Sequence, residues 1–191
     1  MPRDRSAEVD DRAARRPTTV VVTGSESTGK TTLARDLARE LGTVWVPEFA
    51  RTHLDAQLAI GRTLDASDVE PIARGEIAAI DAAMPNARGL IVLDTDLVST
   101  VVYARHYYGF CPPWIEHAAR PRLGDLYLLC DIDVPWEPAP QRDRGHLREH
   151  MHQLFADELA AFGVRTVLIR GSWSERWASA VTAVRQTLAA P

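Results

Sequence analysis

An apolar run, Thr19-Val20-Val21-Val22-Thr23, leads into Gly24-Ser25-Glu26-Ser27-Thr28-Gly29-Lys30-Thr31, and a helical pattern from Thr32 to Leu41 leaves it. The spacing G-x-x-x-x-G-K-[ST] between a strand and a helix is a phosphate-binding loop, and few folds can hold one. Lys30 is the only lysine of the chain; the other 21 of its 22 strongly basic residues are arginine. A composition that avoids lysine thus places one where the loop chemistry needs it. Glycines at 24 and 29 allow close backbone approach. Amide N–H groups then converge on phosphate oxygens at the positive end of the following helix. Lys30 reaches the outer phosphates, the Thr31 hydroxyl serves Mg²⁺, and Gly24 to Thr32 as a whole is the expected ATP site. A Gly/Ser/Thr-rich turn that merely opens a helix explains neither the lone lysine nor the threonine after it.

Four further apolar runs follow at Thr43–Val46, Leu90–Leu93, Leu126–Cys130 and Val164–Ile169, alternating with helical patterns. Such alternation predicts a five-stranded parallel sheet with crossover helices, an α/β three-layer sandwich. Leu33, Leu37 and Leu41 give the first helix one apolar face. Phe49 to Ile60 forms a second helix. A third is expected to open on a Ser67–Glu70 capping box and to carry Ile72, Ile80 and Met84. Thr95 to Tyr108 and Leu147 to Phe162 read as helices. The last helix opens on a Ser172–Glu175 box and presents Trp177, Val181, Val184 and Leu188. Residues 1–17 mix arginines and acids without an apolar core and read as a disordered leader, with one domain over 18–191.

A net charge of −4 argues against nonspecific nucleic-acid binding. No apolar stretch has the length of a membrane span, so the expectation is a cytoplasmic protein without nucleic-acid or membrane partners. The two cysteines, Cys111 and Cys130, form no metal pattern, and the six histidines form no ligand triad.

In open parallel sheets, ligands collect beyond the carboxyl ends of the strands. Asp94 directly follows Leu90-Ile91-Val92-Leu93, as a carboxylate on the Mg²⁺ side should; an aspartate there also serves as a helix N-cap. Asp96 binds substrate hydroxyls or decorates the first helical turn. Glu48, after the second strand, accepts a proton from an incoming hydroxyl or pairs with Arg51 three residues on. Arg142 and Arg144 lie in the proline-broken segment 135–145, which suits a mobile lid whose arginines close over phosphate oxygens. Arg148 reads as a surface residue. Phe49, Tyr107 and Trp136 are among the aromatics near strand ends, where one or two can stack on a base.

Together these segments resemble the ribosylnicotinamide kinase domain of the NadR family. The resemblance rests on the loop Gly24 to Leu33, Val46-Pro47-Glu48-Phe49-Ala50-Arg51, Asp94-Thr95-Asp96-Leu97, Tyr107-Tyr108-Gly109, and Leu126 to Asp131 with Pro135-Trp136 and Arg142. It runs from about residue 18 to the C-terminus. It implies ATP- and Mg²⁺-dependent phosphorylation of the 5′-hydroxyl of nicotinamide riboside, giving nicotinamide mononucleotide. Lys30, Glu48, Asp94 and Arg142 then carry the catalysis, with Arg144 on the nucleotide. Glu48, Phe49, Arg51, Asp96, Tyr107 and Trp136 contact the nucleoside, and Glu48 or Asp94 serves as the base. Two departures stand out: Phe49 replaces an expected tyrosine, and Pro138-Ala139-Pro140-Gln141 replaces a more acidic, glycine-bearing stretch. Larger family proteins also carry a nucleotidyltransferase domain, so the expected chemistry here stops at the mononucleotide. The alternatives are a kinase for another nucleoside and a nucleotide-gated regulatory module.

Overall fold

The computed structural model of the chain describes residues 16–136 and 147–190. Its centre is strand β1 (Thr18–Thr23), flanked on both sides. A strand buried on both faces has no polar side to show, which is why Val20, Val21 and Val22 are consecutive. The other strands are β2 (Val44–Val46), β3 (Leu90–Asp94), β4 (Leu126–Cys130) and β5 (Thr166–Ile169). All pairings are parallel and the order is β2-β3-β1-β4-β5. Seven helices accompany them among the described residues: α1 (Lys30–Glu40), α2 (Phe49–Ala59), α3 (Val69–Ala83), α4 (Leu97–Tyr108), α5 (Pro113–Ala119), α6 (Arg148–Phe162) and α7 (Trp173–Ala189).

The period-two alternation of strand side chains sorts the core into two layers. Val20, Val22, Val92, Leu126 and Leu128 pack against Leu33 and Leu37 of α1 and Ala180 and Val184 of α7. On the opposite face Val21, Ile91, Leu93, Tyr127 and Leu129 meet Val98 and Val102 of α4 and Met151, Phe155 and Leu159 of α6. A third cluster joins α3, α4 and α5 through Val69, Ala73, Leu97, Val101 and Ile115. Both cysteines are free thiols, and Cys130 belongs to the core.

Several boundaries differ from the sequence expectation, each for a local reason. The Ser67–Glu70 box does not open α3. Asp65 caps a 3₁₀ turn, Ala66–Asp68, accepting from the Ser67 N–H at 2.8 Å, while Asp68 accepts from the Asp65 N–H at 2.9 Å. Asp68 also takes bonds from Arg62 and His53, so a carboxylate with an arginine partner displaces serine from the cap. Helix α5, absent from the sequence expectation, opens on Pro113 in its first turn, where a missing N–H costs nothing. Strand β5 begins at Thr166 because the Val164 N–H is spent on the Leu159 carbonyl at the end of α6. Leu188 is exposed; the buried face of α7 is Arg176, Ala180, Ala183 and Val184, with Trp177 and Val181 packed half-buried beside it, and the two alanines let the helix approach the sheet. The Ser172–Glu175 capping box does form.

Arg176 is 1% exposed and joins four segments. Its Nε donates to the Gly171 carbonyl at 3.0 Å, Nη1 to the Thr28 carbonyl at 3.2 Å, and Nη2 to the Asp131 carbonyl at 3.0 Å and to the Asp133 carboxylate. A planar fork with five N–H donors suits this convergence. Arg176→Leu leaves buried carbonyls unsatisfied and is expected to lower stability by about 3 kcal/mol, with Arg176→Lys recovering only part. Urea unfolding measures it; a loss below about 1 kcal/mol for the leucine variant would show that the fork does not hold these segments.

Candidate active site

Parallel pairing in register places the site. Val22 of β1 lies opposite Asp94 of β3, and the Thr95 N–H donates to the Val22 carbonyl at 3.0 Å. The end of β1 and the end of β3 therefore deliver their loops side by side. Gly24 has φ 132°, and a Cβ there would sit 2.8 Å from the Cys130 carbonyl oxygen. Only glycine lets the loop pass that close to β4. The loop then braces itself: the Ser25 carbonyl accepts from the Thr28 hydroxyl and from Lys30 Nζ, each at 2.9 Å. Lys30 is buried, its ammonium parked on a backbone oxygen. Helix α1 starts after Gly29 with no side-chain cap and no acid in its first turn. Its leading amides keep their affinity for an anion.

Thr95 carries the main backbone strain, with φ 71° at a buried, β-branched residue between two aspartates. That strain explains why α4 begins only at Leu97. Asp94 lies beneath, 1% exposed, and neither carboxylate oxygen has a hydrogen-bond partner. Burial first and Glu48 second raise its pKa to about 6, against the opposing effect of Lys30, the nearby Thr31 hydroxyl and Arg51. An orphaned buried carboxylate beside the Thr31 position fits a hard divalent cation. Among the described residues no group of three or more His, Cys, Asp or Glu is placed to hold a metal, so such an ion would draw its remaining ligands from phosphate and water.

From the loop a cavity of about 440 Å³ opens between α2, α3 and α4. Glu26, Ser27, Lys30, Glu48, Arg51 and Tyr107 from the predicted set line it. Arg51 donates to Glu48 at 3.3 Å, so Glu48 is both ion-paired and turned to the cavity. Tyr103 and Tyr107 stack along α4 with ring centroids 6.1 Å apart. Burial, then Glu48 and Glu26, drive the Tyr103 phenol well above its ordinary pKa, so it stays neutral.

Two residues offered to the substrate by sequence make other contacts, Asp96 in the first-turn role that was its alternative reading. Asp96 caps α4, accepting from the Val98 N–H at 3.0 Å, and takes the Tyr127 hydroxyl at 2.5 Å. With burial as the leading cause, its pKa rises to about 6. Phe49 does not line the cavity; its ring lies where a Cβ on Gly75 would be, 2.0 Å away, so α2 and α3 interlock there. Trp136 stands near Ser25, Glu26 and Tyr107. Arg142 and Arg144 lie outside the described residues.

Two cavity or loop residues escaped the sequence reading. Arg148, expected at the surface, donates to the Val134 carbonyl at 2.9 Å and lies 5.6 Å from the Trp136 ring centre, beside Ser25 and Glu26. Its Nε and Nη2 are buried without partners, and burial followed by Arg176 lowers its pKa. A desolvated cation beside another cation is a ready receptor for an anion. Glu76 is the other, and it left a signal, an acid at the spacing of Val69, Ala73 and Ile80 on the buried stripe of α3.

Strain of this kind costs about 1–3 kcal/mol, against a smaller entropic cost of glycine. Thr95→Gly is therefore expected to raise unfolding stability by about 1 kcal/mol. A denaturant titration in which the glycine variant is weaker than wild type would show that the Thr95 side chain contributes more than its backbone costs.

The comparisons with known proteins agree with this geometry. The trifunctional NAD biosynthesis/regulator protein NadR of Escherichia coli is 28% identical over 174 residues, covering 89% of this chain and 42% of its own length. A crystal structure of NadR in complex with NR superposes with a TM-score of 0.71 at 27% identity, over 94% of this chain and 52% of that one. NadR in complex with NAD and AMP-PNP gives 0.69 at 27% identity, over 92% and 50%. The chain thus spans about half the length of these relatives, or somewhat less. The shared fold is the P-loop kinase type. The AAA domain family model matches residues 19–176, and the chain belongs to that family.

Proposed function

We propose that this chain is a nucleoside kinase of NAD metabolism, transferring the γ-phosphoryl group of ATP to the 5′-hydroxyl of nicotinamide riboside. The observation that carries the reading is one cavity whose wall holds Ser27 and Lys30 of the loop, the acid Glu48 and the Tyr103–Tyr107 pair. The loop end suits a triphosphate and the aromatic end a cationic, flat base. The NadR relatives, solved with NR and with AMP-PNP, support both ends.

In this reading the loop amides, Lys30 and the exposed N–H groups of α1 hold the phosphates. Lys30 exchanges its bond to the Ser25 carbonyl for phosphate oxygens. Thr31 and Asp94 would hold Mg²⁺, which when bound neutralises phosphate charge. That occupies Asp94 and leaves Glu48, facing the cavity, to accept the proton of the 5′-hydroxyl. The hydroxyl oxygen forms a bond to the γ-phosphorus as the bond to the bridging oxygen of ADP breaks. Arg148 stabilises charge on the transferring group from the other side of the loop. Arg142 and Arg144, which lie outside the described residues, are proposed to act on the same charge. Tyr107 and Trp136 flank the base side.

The decisive experiment is mass spectrometry of products after incubation with ATP, Mg²⁺ and nicotinamide riboside. The expected product is nicotinamide mononucleotide; phosphorylation of other nucleosides but not this one overturns the substrate. Transfer depends on positioning and charge, so Lys30→Met is expected to lose about 10²-fold or more in turnover. Retention of wild-type turnover would remove Lys30 from the mechanism.

A further inference from the structure

Glu76 has no part in the phosphoryl transfer described above, yet it is placed with care. It lies in the middle of α3, 2% exposed, on the stripe that Val69, Ala73 and Ile80 occupy. One carboxyl oxygen, Oε2, accepts from the Phe49 N–H at the start of α2 at 3.2 Å. The other, Oε1, is buried and has no hydrogen-bond partner, and the residue belongs to the cavity wall. A glutamine would accept the Phe49 bond equally well without the cost of a buried acid. Capping α2 therefore does not account for a carboxyl group here.

Its surroundings supply no countercharge. Glu48 faces it from the segment before α2, and Asp94 and Asp96 from the turn after β3, all acidic. The two cations of the cavity wall are engaged elsewhere, Lys30 with the Ser25 carbonyl and Arg51 with Glu48. From α4 the wall presents Tyr103 and Tyr107, along with Ser99 and Thr100. Burial is the leading cause that raises the Glu76 pKa to about 8; the Phe49 N–H opposes it, and Asp96, Glu48 and Asp94 add to it. In the empty cavity at neutral pH the group therefore holds its proton.

We infer that Glu76 selects for a nucleoside whose base carries a fixed positive charge, releasing its proton to water as the cation enters and remaining as the carboxylate that faces it. The inference rests on the reading of this cavity as the nucleoside site. The exchange balances: a neutral acid and a cationic ligand go in, an ion pair and one hydronium come out. A neutral base gains nothing from it, since the proton has no reason to leave. Discrimination thus comes from the difference between a buried acid that is neutralised by a proton and one that is neutralised by the ligand.

Calorimetry of the whole chain tests this, with nicotinamide riboside titrated in two buffers of different ionisation enthalpy at matched pH. Near pH 7 about one proton should be released per ligand bound, falling towards none by pH 9. The sign follows from linkage: a ligand that expels a proton binds more tightly as pH rises, up to about tenfold per unit, until Glu76 is ionised without it. The window from pH 7 to 8 lies above Asp94 and Asp96, both at about 6. The reduced, uncharged dihydronicotinamide riboside should release none. Glu76→Gln should abolish the release and cut the preference for the charged nucleoside by about tenfold or more. If wild type binds the cation with no proton released, the inference is overturned while the nucleoside site stands. If it binds neither nucleoside, the reading of the cavity falls first and the inference with it. Should the glutamine variant fail to fold, the wild-type proton count decides alone.

Discussion

The in-register pairing of β1 with β3 is the constraint on which the rest of this structure depends. It sets Val22 opposite Asp94, so the phosphate loop and the first acid of the site issue from neighbouring strand ends. The Thr95 N–H bond to the Val22 carbonyl then ties the two exits together. A shift of one residue would turn Asp94 to the opposite face of the sheet. It would also break the alternation that sends Val20 and Val22 to one core layer and Val21 to the other. The hydrophobic core and the site thus share one determinant. Packing keeps the register, and the register keeps the carboxylate under the loop.

Around that exit the chain accepts costs that a purely structural domain would avoid. Asp94 has two buried oxygens without partners, Thr95 holds a left-handed backbone, and Arg148 buries two guanidinium nitrogens unpaired. Each costs stability in the empty protein, and a nucleotide or metal would bring partners for Asp94 and Arg148. Arg176 offsets part of this by joining the loop at Thr28 to the ends of β4 and β5. The loop keeps its shape in the empty protein through the two donors on the Ser25 carbonyl. What a ligand must do is replace Lys30's bond, and little backbone need move.

The sheet and the phosphate loop were legible because they rest on local patterns. A buried central strand must be a continuous apolar run, and a loop of this kind must carry glycines and a lysine at set intervals. The misreadings have a common cause: the deciding partner is remote in sequence. Phe49 looked like a ligand contact until Gly75, on another helix, proved to make room for its ring. Asp96 takes the first-turn role that was one of its two readings, while its bond from Tyr127 of β4 left no local sign. Arg148 looked like surface, because nothing nearby in sequence says that Trp136 and the loop lie beside it. Glu76 alone was readable and overlooked, since an acid on an apolar stripe is itself a signal.

The order of the sheet also divides charge across the phosphate loop. Glu48 follows β2, Asp94 and Asp96 end or follow β3, and Glu76 reaches the same side from α3, so acids gather on one flank of β1. Beyond β4 and β5 stand Arg148 and Arg176, with Asp133 on that side consumed by Arg176. An anion and a cation brought to the two flanks would each meet its opposite charge, whereas exchanging them would place like beside like. At the few-ångström separations of a buried site, such juxtapositions cost several kcal/mol. The polarity of the site is thus a consequence of strand order: in the proposed reading, the topology that brings β1 to the centre also sets which flank would favour phosphate and which a positively charged ring.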